Sequence, residues 1–93
     1  MKPVLKLHPF GTSPANPIPV RGVTEEYDYV SHLVGESGET LKPVGQELLC
    51  HTDGRRVDKL ILVRSNGGEL ALYFDFQSDQ SSRQAPAGFR YVR

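Results

Sequence analysis

Two β-prone runs separated by an Asn-Gly-Gly sequence dominate the hydrophobic pattern of the chain. The first run covers residues 57–65, the second covers residues 69–76, and Asn66-Gly67-Gly68 lies between them. An Asn-Gly pair is typical of a type I′ hairpin turn, because both central residues of that turn need positive φ angles. The sequence therefore predicts an antiparallel β-hairpin at the centre of the fold.

The hairpin pattern also predicts which side chains face the core. A two-residue Asn66-Gly67 loop would pair Arg64 with Glu69 and Lys59 with Phe74. The predicted core face then carries Val57, Ile61, Val63, Leu70, Leu72, Phe74 and Phe76. The opposite face carries Leu60, Leu62, Ala71 and Tyr73. Because this second face is also apolar, the hairpin is either covered on both sides or presents an interface.

Residues 24–34 fit two structures. Their β-branched and aromatic residues favour a strand. As a helix, the segment would begin at Thr24 as N-cap and end before Gly35, with an apolar stripe formed by Tyr27, Val30, Leu33 and Val34. We predict the strand and keep the helix as the alternative.

The remaining segments predict short strands and loops. Residues 47–51 and 88–93 read as strands, the latter with Phe89 and Tyr91 facing inward, and residues 4–8 could add a short edge strand. Pro43 and Gly45 predict a bulged segment before residue 47. Residues 9–20 are Pro-rich, which predicts an extended loop that Phe10 and Ile18 anchor to the core.

The predicted fold class is mainly β. We expect a small antiparallel meander sheet of about four to five strands. With a short helix at residues 24–34 the class becomes α+β. The length of 93 residues predicts a single domain, residues 1–93. Residues 77–87 are polar and Ser/Gln-rich, so we expect a mobile segment there.

Composition and charge narrow the classes of partner. Eleven basic and eleven acidic residues cancel, so no global field attracts nucleic acid, and we expect no nucleic-acid binding. Acidic residues are concentrated between residues 21 and 50, and basic ones in 51–65 and 77–93. Faces of opposite sign are compatible with self-association.

The sequence also predicts a location. The N-terminal residues contain no continuous apolar stretch and no small-residue cleavage site, and no apolar run approaches the length of a membrane span. A single cysteine, Cys50, cannot form an internal disulfide and fits a reducing compartment. We therefore expect a cytoplasmic protein without a membrane partner.

The predicted hairpin register brings two carboxylates together. It places Asp58 opposite Asp75, and paired carboxylates raise one pKa, which suits acid–base chemistry or cation binding. A three-residue Asn66-Gly67-Gly68 loop would instead pair Lys59 with Asp75, giving an ordinary cross-strand ion pair. The sequence leaves both registers open.

Other candidate groups complete a hypothetical pocket. Asp28 and His32 are four residues apart and share a face of either a helix or a strand. Cys50 and His51 are adjacent and would point to opposite faces of a strand, so they make no catalytic pair. The candidate ligand-binding residues are Tyr29, His32, Asp58 and Asp75. No catalytic residue, metal site or cofactor is predicted, since no metal-ligand or phosphate-binding motif occurs.

These features support two function hypotheses. The first is a non-catalytic binding or protein-interaction module, homodimeric or bound to another protein through a sheet face or edge. The alternative is a small enzyme or ligand-binding protein whose pocket is lined by carboxylate, His and Tyr side chains. Convergence of the four candidate residues on one cavity would favour the alternative.

Overall fold

The computed structural model describes residues 9–50 and 54–93, and over these ranges it contains one helix and six strands. In chain order the elements are β1 (Ile18–Pro19), α1 (Val23–Ser31), β2 (Leu33–Gly35), β3 (Leu41–Cys50), β4 (Arg56–Arg64), β5 (Glu69–Asp75) and β6 (Phe89–Tyr91). The prediction of a mainly β, mostly antiparallel chain is confirmed, and the short helix kept as the alternative for residues 24–34 is present. The strand predicted at residues 4–8, and His51, lie outside the described residues.

The strands form two sheets. The larger has the order β1-β5-β4-β3, in which β1 is parallel to β5 and the other pairs are antiparallel. The smaller pairs β2 with β6, and Leu33 lies opposite Tyr91. Phe89 and Tyr91 pack against the core, as the alternation of residues 88–93 predicts. The predicted bulge is also present, because the β3–β4 register shifts between Pro43 and Gly45.

The central hairpin forms, but both predicted registers are wrong. The amide of Arg64 donates to the carbonyl of Gly68 at 3.0 Å, and the amide of Gly67 donates to the carbonyl of Arg64 at 3.0 Å. The loop is therefore the three residues Ser65-Asn66-Gly67. Gly67 has φ 93°, whereas Asn66 has no positive φ. This is the geometry of a type I turn followed by a left-handed glycine.

The shifted register changes the core face of β4. Leu60 pairs with Leu72, and Lys59 pairs with Tyr73 rather than Phe74 or Asp75. Leu60 and Leu62 therefore join Leu72 and Phe74 in the core, each of them fully buried. The predicted core residues Ile61 and Val63 lie on the opposite face of the sheet and are only partly buried.

The predicted strand over residues 24–34 is wrong, and the helical alternative is correct for most of the segment. Four buried residues follow the helical spacing i, i+3, i+4 and i+7: Glu26, Tyr29, Val30 and Leu33. The helix begins after Gly22 rather than Thr24, and Glu25 accepts a hydrogen bond from the amide of Arg21 at 2.9 Å. A carboxyl group occupies one position of the buried stripe, so the apolar pattern alone did not show it.

The core lies between α1 and one face of the larger sheet. It contains Ile18, Val20, Tyr29, Val30, Leu33, Leu60, Leu62, Leu72 and Phe74. Tyr29 makes an edge-to-face contact with Phe74, with ring centroids 5.6 Å apart. Each of the large apolar side chains contributes roughly 1.5–3 kcal/mol when fully buried. Ile18 and Phe10 anchor the Pro-rich segment as predicted.

Two further predictions can be placed on the structure. Residues 77–87 contain no helix or strand, and their mobility stays a prediction. Within residues 9–50 and 54–93, no helix has the length and apolar character needed to cross a membrane.

Candidate functional site

An open cavity of the described residues lies beside α1. It has a volume of about 420 Å³ and is bounded by α1, by β6 and by residues 81–84, which we call the strap. Its polar lining includes Arg21, Glu25, Asp28, Ser81, Arg83 and Tyr91. Glu25, Asp28 and Tyr29 line the cavity from α1, and Arg21 lines it from the segment before the helix. We call this cavity the strap cleft.

Hydrogen bonds hold the strap over the cleft. The amide of Ser82 donates to the carbonyl of Pro19 at 2.9 Å, and the Tyr29 hydroxyl donates to the carbonyl of Gln84 at 2.5 Å. The Ser81 hydroxyl donates to the carboxylate of Glu25. This hydrogen bond, together with that from the Arg21 amide, lowers the pKa of Glu25. Glu25 therefore stays ionised and bound to the strap.

Tyr91 lines the cleft and stacks on His32, which lies beside it. Their rings stack with centroids 4.9 Å apart and an interplanar angle of 17°. His32 Nδ1 lies 2.6 Å from the carbonyl oxygen of Val92, so this nitrogen carries a proton and donates. His32 Nε2 then faces Asp28, whose Oδ1 is 3.7 Å away. A second cavity of about 200 Å³ lies here and shares Asp28 and Tyr91 with the first.

Two of the four predicted site residues therefore meet near the strap cleft. Tyr29 lines the larger cavity and His32 lines the smaller one, and both contact Tyr91. Tyr29 is 2% exposed, and burial raises the pKa of its phenol well above the ordinary value, with a smaller contribution from Tyr91. Its hydroxyl is already bound to Gln84. That Tyr29 and His32 bind a ligand stays a prediction.

Asp58 lies elsewhere, in a polar group between α1 and the sheet whose two carboxyl members are buried and whose other two members are exposed. It is 2% exposed and accepts a hydrogen bond of 2.6 Å from Gln46 Nε2. The Gln46 amide oxygen accepts a second hydrogen bond, also 2.6 Å, from the hydroxyl of Tyr27. The fourth member is Glu26, which α1 directs towards Asp58 from the other side. We call Glu26 and Asp58 the carboxyl pair.

Glu26 is the most unusual side chain of this group. It is fully buried, and neither carboxyl oxygen has a hydrogen-bond donor among the described residues. Protonation gives Glu26 a hydrogen-bond partner, because a neutral carboxyl group can donate to the carboxylate of Asp58. Burial, together with the hydrogen bond and negative charge of Asp58, raises the pKa of Glu26 to about 9. At neutral pH the carboxyl pair therefore holds one proton.

Asp75 joins neither group. Its backbone pairs with Pro19, and its Oδ1 accepts a hydrogen bond from the amide of Gln77 at 3.1 Å. The predicted pairing of Asp58 with Asp75 is wrong, because Asp58 lies opposite Phe74. The loop is one residue longer than the predicted two-residue loop, so Asp75 lies on the sheet face opposite to that of Asp58.

Sequence reasoning missed Glu26. The available signal was a helical stripe at positions 26, 29, 30 and 33 with a single carboxyl residue in it. A charged residue in an otherwise apolar stripe is a candidate for a buried polar group. The partner Asp58 belongs to β4. Because the two residues are far apart in the sequence, the local pattern around Glu26 does not predict their pairing.

The two sites differ in the chemistry open to them. The carboxyl pair is sealed from solvent, so it can act on the packing of α1 but cannot touch a substrate. The strap cleft is open and polar. Among the described residues, no group of three or more His, Cys, Asp or Glu is arranged to hold a metal ion. No protein-family model, curated protein or solved structure matches this chain.

Proposed function

We propose that this protein is a non-catalytic interaction module that forms a homodimer through the sheet face opposite α1. The proposal rests on the two faces of the β4–β5 hairpin. The face towards α1 is buried, whereas the opposite face of the sheet, which we call the outer face, is apolar and partly buried, apart from Val57, which is fully buried. The outer face carries Leu49, Ile61, Val63, Ala71 and Tyr73.

The geometry of the outer face suits packing against another sheet. Gly45 lies beside Ile61, and a Cβ atom at this glycine would lie 3.3 Å from Ile61 Cδ1. The missing side chain leaves Ile61 accessible from above the sheet. Apolar faces of this kind mark interaction sites in soluble proteins, and two sheets pack face to face at a spacing of roughly 10 Å.

Charge favours a second copy of the same chain as the occupant. The net charge is zero, so two copies do not repel each other. Lys59 and Glu47 form an ion pair of 3.7 Å at one end of the outer face, where it can remain at a solvated rim. A two-fold axis would place the same apolar surface on both sides of the contact.

A binding role is favoured over catalysis because the strongest acid–base group is inaccessible. Glu26 and Asp58 are buried under α1 and cannot reach a substrate. A cytoplasmic location belongs to the same proposal. The single cysteine, Cys50, is exposed and free, which fits a reducing compartment.

Sedimentation velocity of the whole chain at micromolar concentrations tests the dimer. We expect a concentration-dependent dimer for the wild type and a monomer for Ala71→Glu, which adds a charge to the outer face without removing any packed atoms. Val23→Glu is the matched control, because Val23 is 40% exposed on α1 and lies outside the outer face. It should remain dimeric.

Two results would contradict the proposal. One is a wild type that stays monomeric at high micromolar concentration. The other is equal loss of the dimer in both variants, which would indicate a different interface. Circular dichroism and thermal unfolding check that Ala71→Glu remains folded.

A further inference from the structure

We propose that the strap cleft binds a small oxyanion, a phosphate or carboxylate group, through Arg21 and Arg83. This inference goes beyond the interaction function and uses a different surface. It rests on a cavity of about 420 Å³, which is within the usual size range of small-molecule sites, roughly 300–1,000 Å³.

The basic and acidic groups of the cleft differ in what they contact. Within residues 9–50 and 54–93 the Arg83 guanidinium forms no ion pair or hydrogen bond, whereas the charge of Arg21 also acts on the carboxylate of Glu25. Of the two acidic residues, Glu25 is hydrogen-bonded to Ser81 and the Arg21 amide, and the Asp28 side chain is 68% exposed to solvent near His32. Arg83 is therefore available to an added anion, and Arg21 lines the same cavity.

Neutral donors add to the two arginines. The Ser82 side-chain oxygen accepts from the amide of Gln84, which leaves its hydroxyl hydrogen free to donate. His32 is held by Val92 and Tyr91 in the adjoining smaller cavity. Guanidinium groups bind phosphate and carboxylate with two parallel hydrogen bonds, which an ammonium group cannot reproduce. Arg21, which precedes the N-cap of α1, and Arg83 of the strap line the same cavity and can both bind one oxyanion.

An NMR titration of the full 93-residue chain tests the site. Sodium phosphate, sodium citrate and sodium chloride are added at matched ionic strength while amide shifts are followed. We expect saturable shifts at Arg21 and at residues 81–83 with phosphate or citrate, and not with chloride. The salt whose addition gives saturable amide shifts identifies which oxyanion binds.

Substitutions then assign the contact to the arginines. Arg83→Gln and Arg21→Gln should each weaken binding by about fivefold or more, as expected for loss of a charge-assisted contact. Arg83→Lys should give an intermediate affinity, because it keeps the charge and loses the planar fork. The matched control is Arg56→Gln, which removes an exposed positive charge at the start of β4, away from the cleft. It should leave the affinity unchanged.

The results of these experiments distinguish oxyanion binding in the strap cleft from dimer formation through the outer face. Binding that persists in monomeric Ala71→Glu supports an oxyanion site independent of the outer face. Shifts that follow ionic strength alone, or equal weakening by Arg56→Gln and Arg83→Gln, overturn the proposal.

Discussion

Glu26 and Glu39 are both buried glutamates, yet their surroundings differ completely. The Glu39 side chain is 8% exposed and lies 3.3 Å from Arg64 Nη1. Its other oxygen accepts a hydrogen bond of 3.0 Å from the amide of Ser37. Arg64 is also positioned by the ring of Phe89, 5.5 Å from its centroid. Every polar contact that Glu39 needs as a carboxylate is present.

Glu26 has none of these contacts. It lies in the centre of the fold, with Asp58 as its polar neighbour and no cation among the described residues beside it. Burial alone therefore does not determine whether a carboxyl group is ionised and paired or neutral. Near the surface a flexible arginine can pair with the carboxylate. Between helix and sheet the carboxyl group is instead neutralised by a proton.

The largest expected effect comes from disturbing the Glu39 site through Gly35. The Glu39 carboxylate occupies the position that a Cβ atom at Gly35 would take. Gly35→Ala should therefore displace the carboxylate, break its contacts with Arg64 and the Ser37 amide and reduce the free energy of unfolding by about 2 kcal/mol. Urea denaturation measures the loss.

Gly45→Ala is the matched control for that substitution. It also adds a methyl group to a strand glycine, but the new Cβ would lie 3.3 Å from a side-chain methyl group of Ile61, which can move. The loss should be clearly smaller than for Gly35→Ala. Equal losses would show that the Glu39 contact has no special importance.

The next effect is a gain in stability from Glu26→Gln. The folded-state pKa of Glu26 is raised from 4.5 to about 9, so the folded protein keeps a proton that the unfolded chain releases. The stabilisation linked to this proton is complete below pH 4.5, falls as pH rises and is lost above about 9. Glutamine needs no proton. At pH 8 we expect Glu26→Gln to be more stable than the wild type by about 2 kcal/mol.

The pH dependence of the free energy of unfolding gives a second test of the Glu26 proton. Between pH 5 and pH 8 the wild type should lose up to about 4 kcal/mol that Glu26→Gln does not lose. Guanidinium chloride denaturation of both proteins at several pH values measures the difference. Parallel pH profiles would contradict the assignment.

Glu39→Gln should give the smallest effect, with the opposite sign. It removes the negative charge that Arg64 faces, so stability should fall by about 1 kcal/mol, a modest value because Arg64 is partly solvated. The same substitution therefore stabilises at one buried glutamate and destabilises at the other. A gain in stability in both variants would contradict the proposed difference between Glu26 and Glu39. Urea denaturation at pH 8 measures both changes under the same conditions.

The parts of the fold that depend on local pattern could be predicted from the sequence. The hairpin, the β3 bulge and the inward face of β6 each follow from a few adjacent residues. The hairpin register could not be predicted, because Asn66-Gly67-Gly68 suits both a two-residue loop and a three-residue loop with a left-handed glycine. One residue of difference reverses the core face of β4.

The candidate sites depended on contacts between distant segments. The sequence pattern paired Asp58 with Asp75, whereas its carboxyl neighbour is Glu26, which is 32 positions earlier in the chain. Arg83 belongs to a polar segment without periodicity, so nothing in the pattern linked it to α1. Tyr29 and His32 come together because α1 is a helix that continues into β2.

The proton on Glu26 can be observed directly. Carboxyl ¹³C NMR of the glutamate side chains, assigned by comparison with Glu26→Gln, follows each group through a pH titration. The structure predicts that the Glu26 carboxyl is neutral at pH 7 and titrates near pH 9, about 4.5 units above its ordinary value. Titration of Glu26 between pH 4 and 5 would contradict a shared proton in the carboxyl pair.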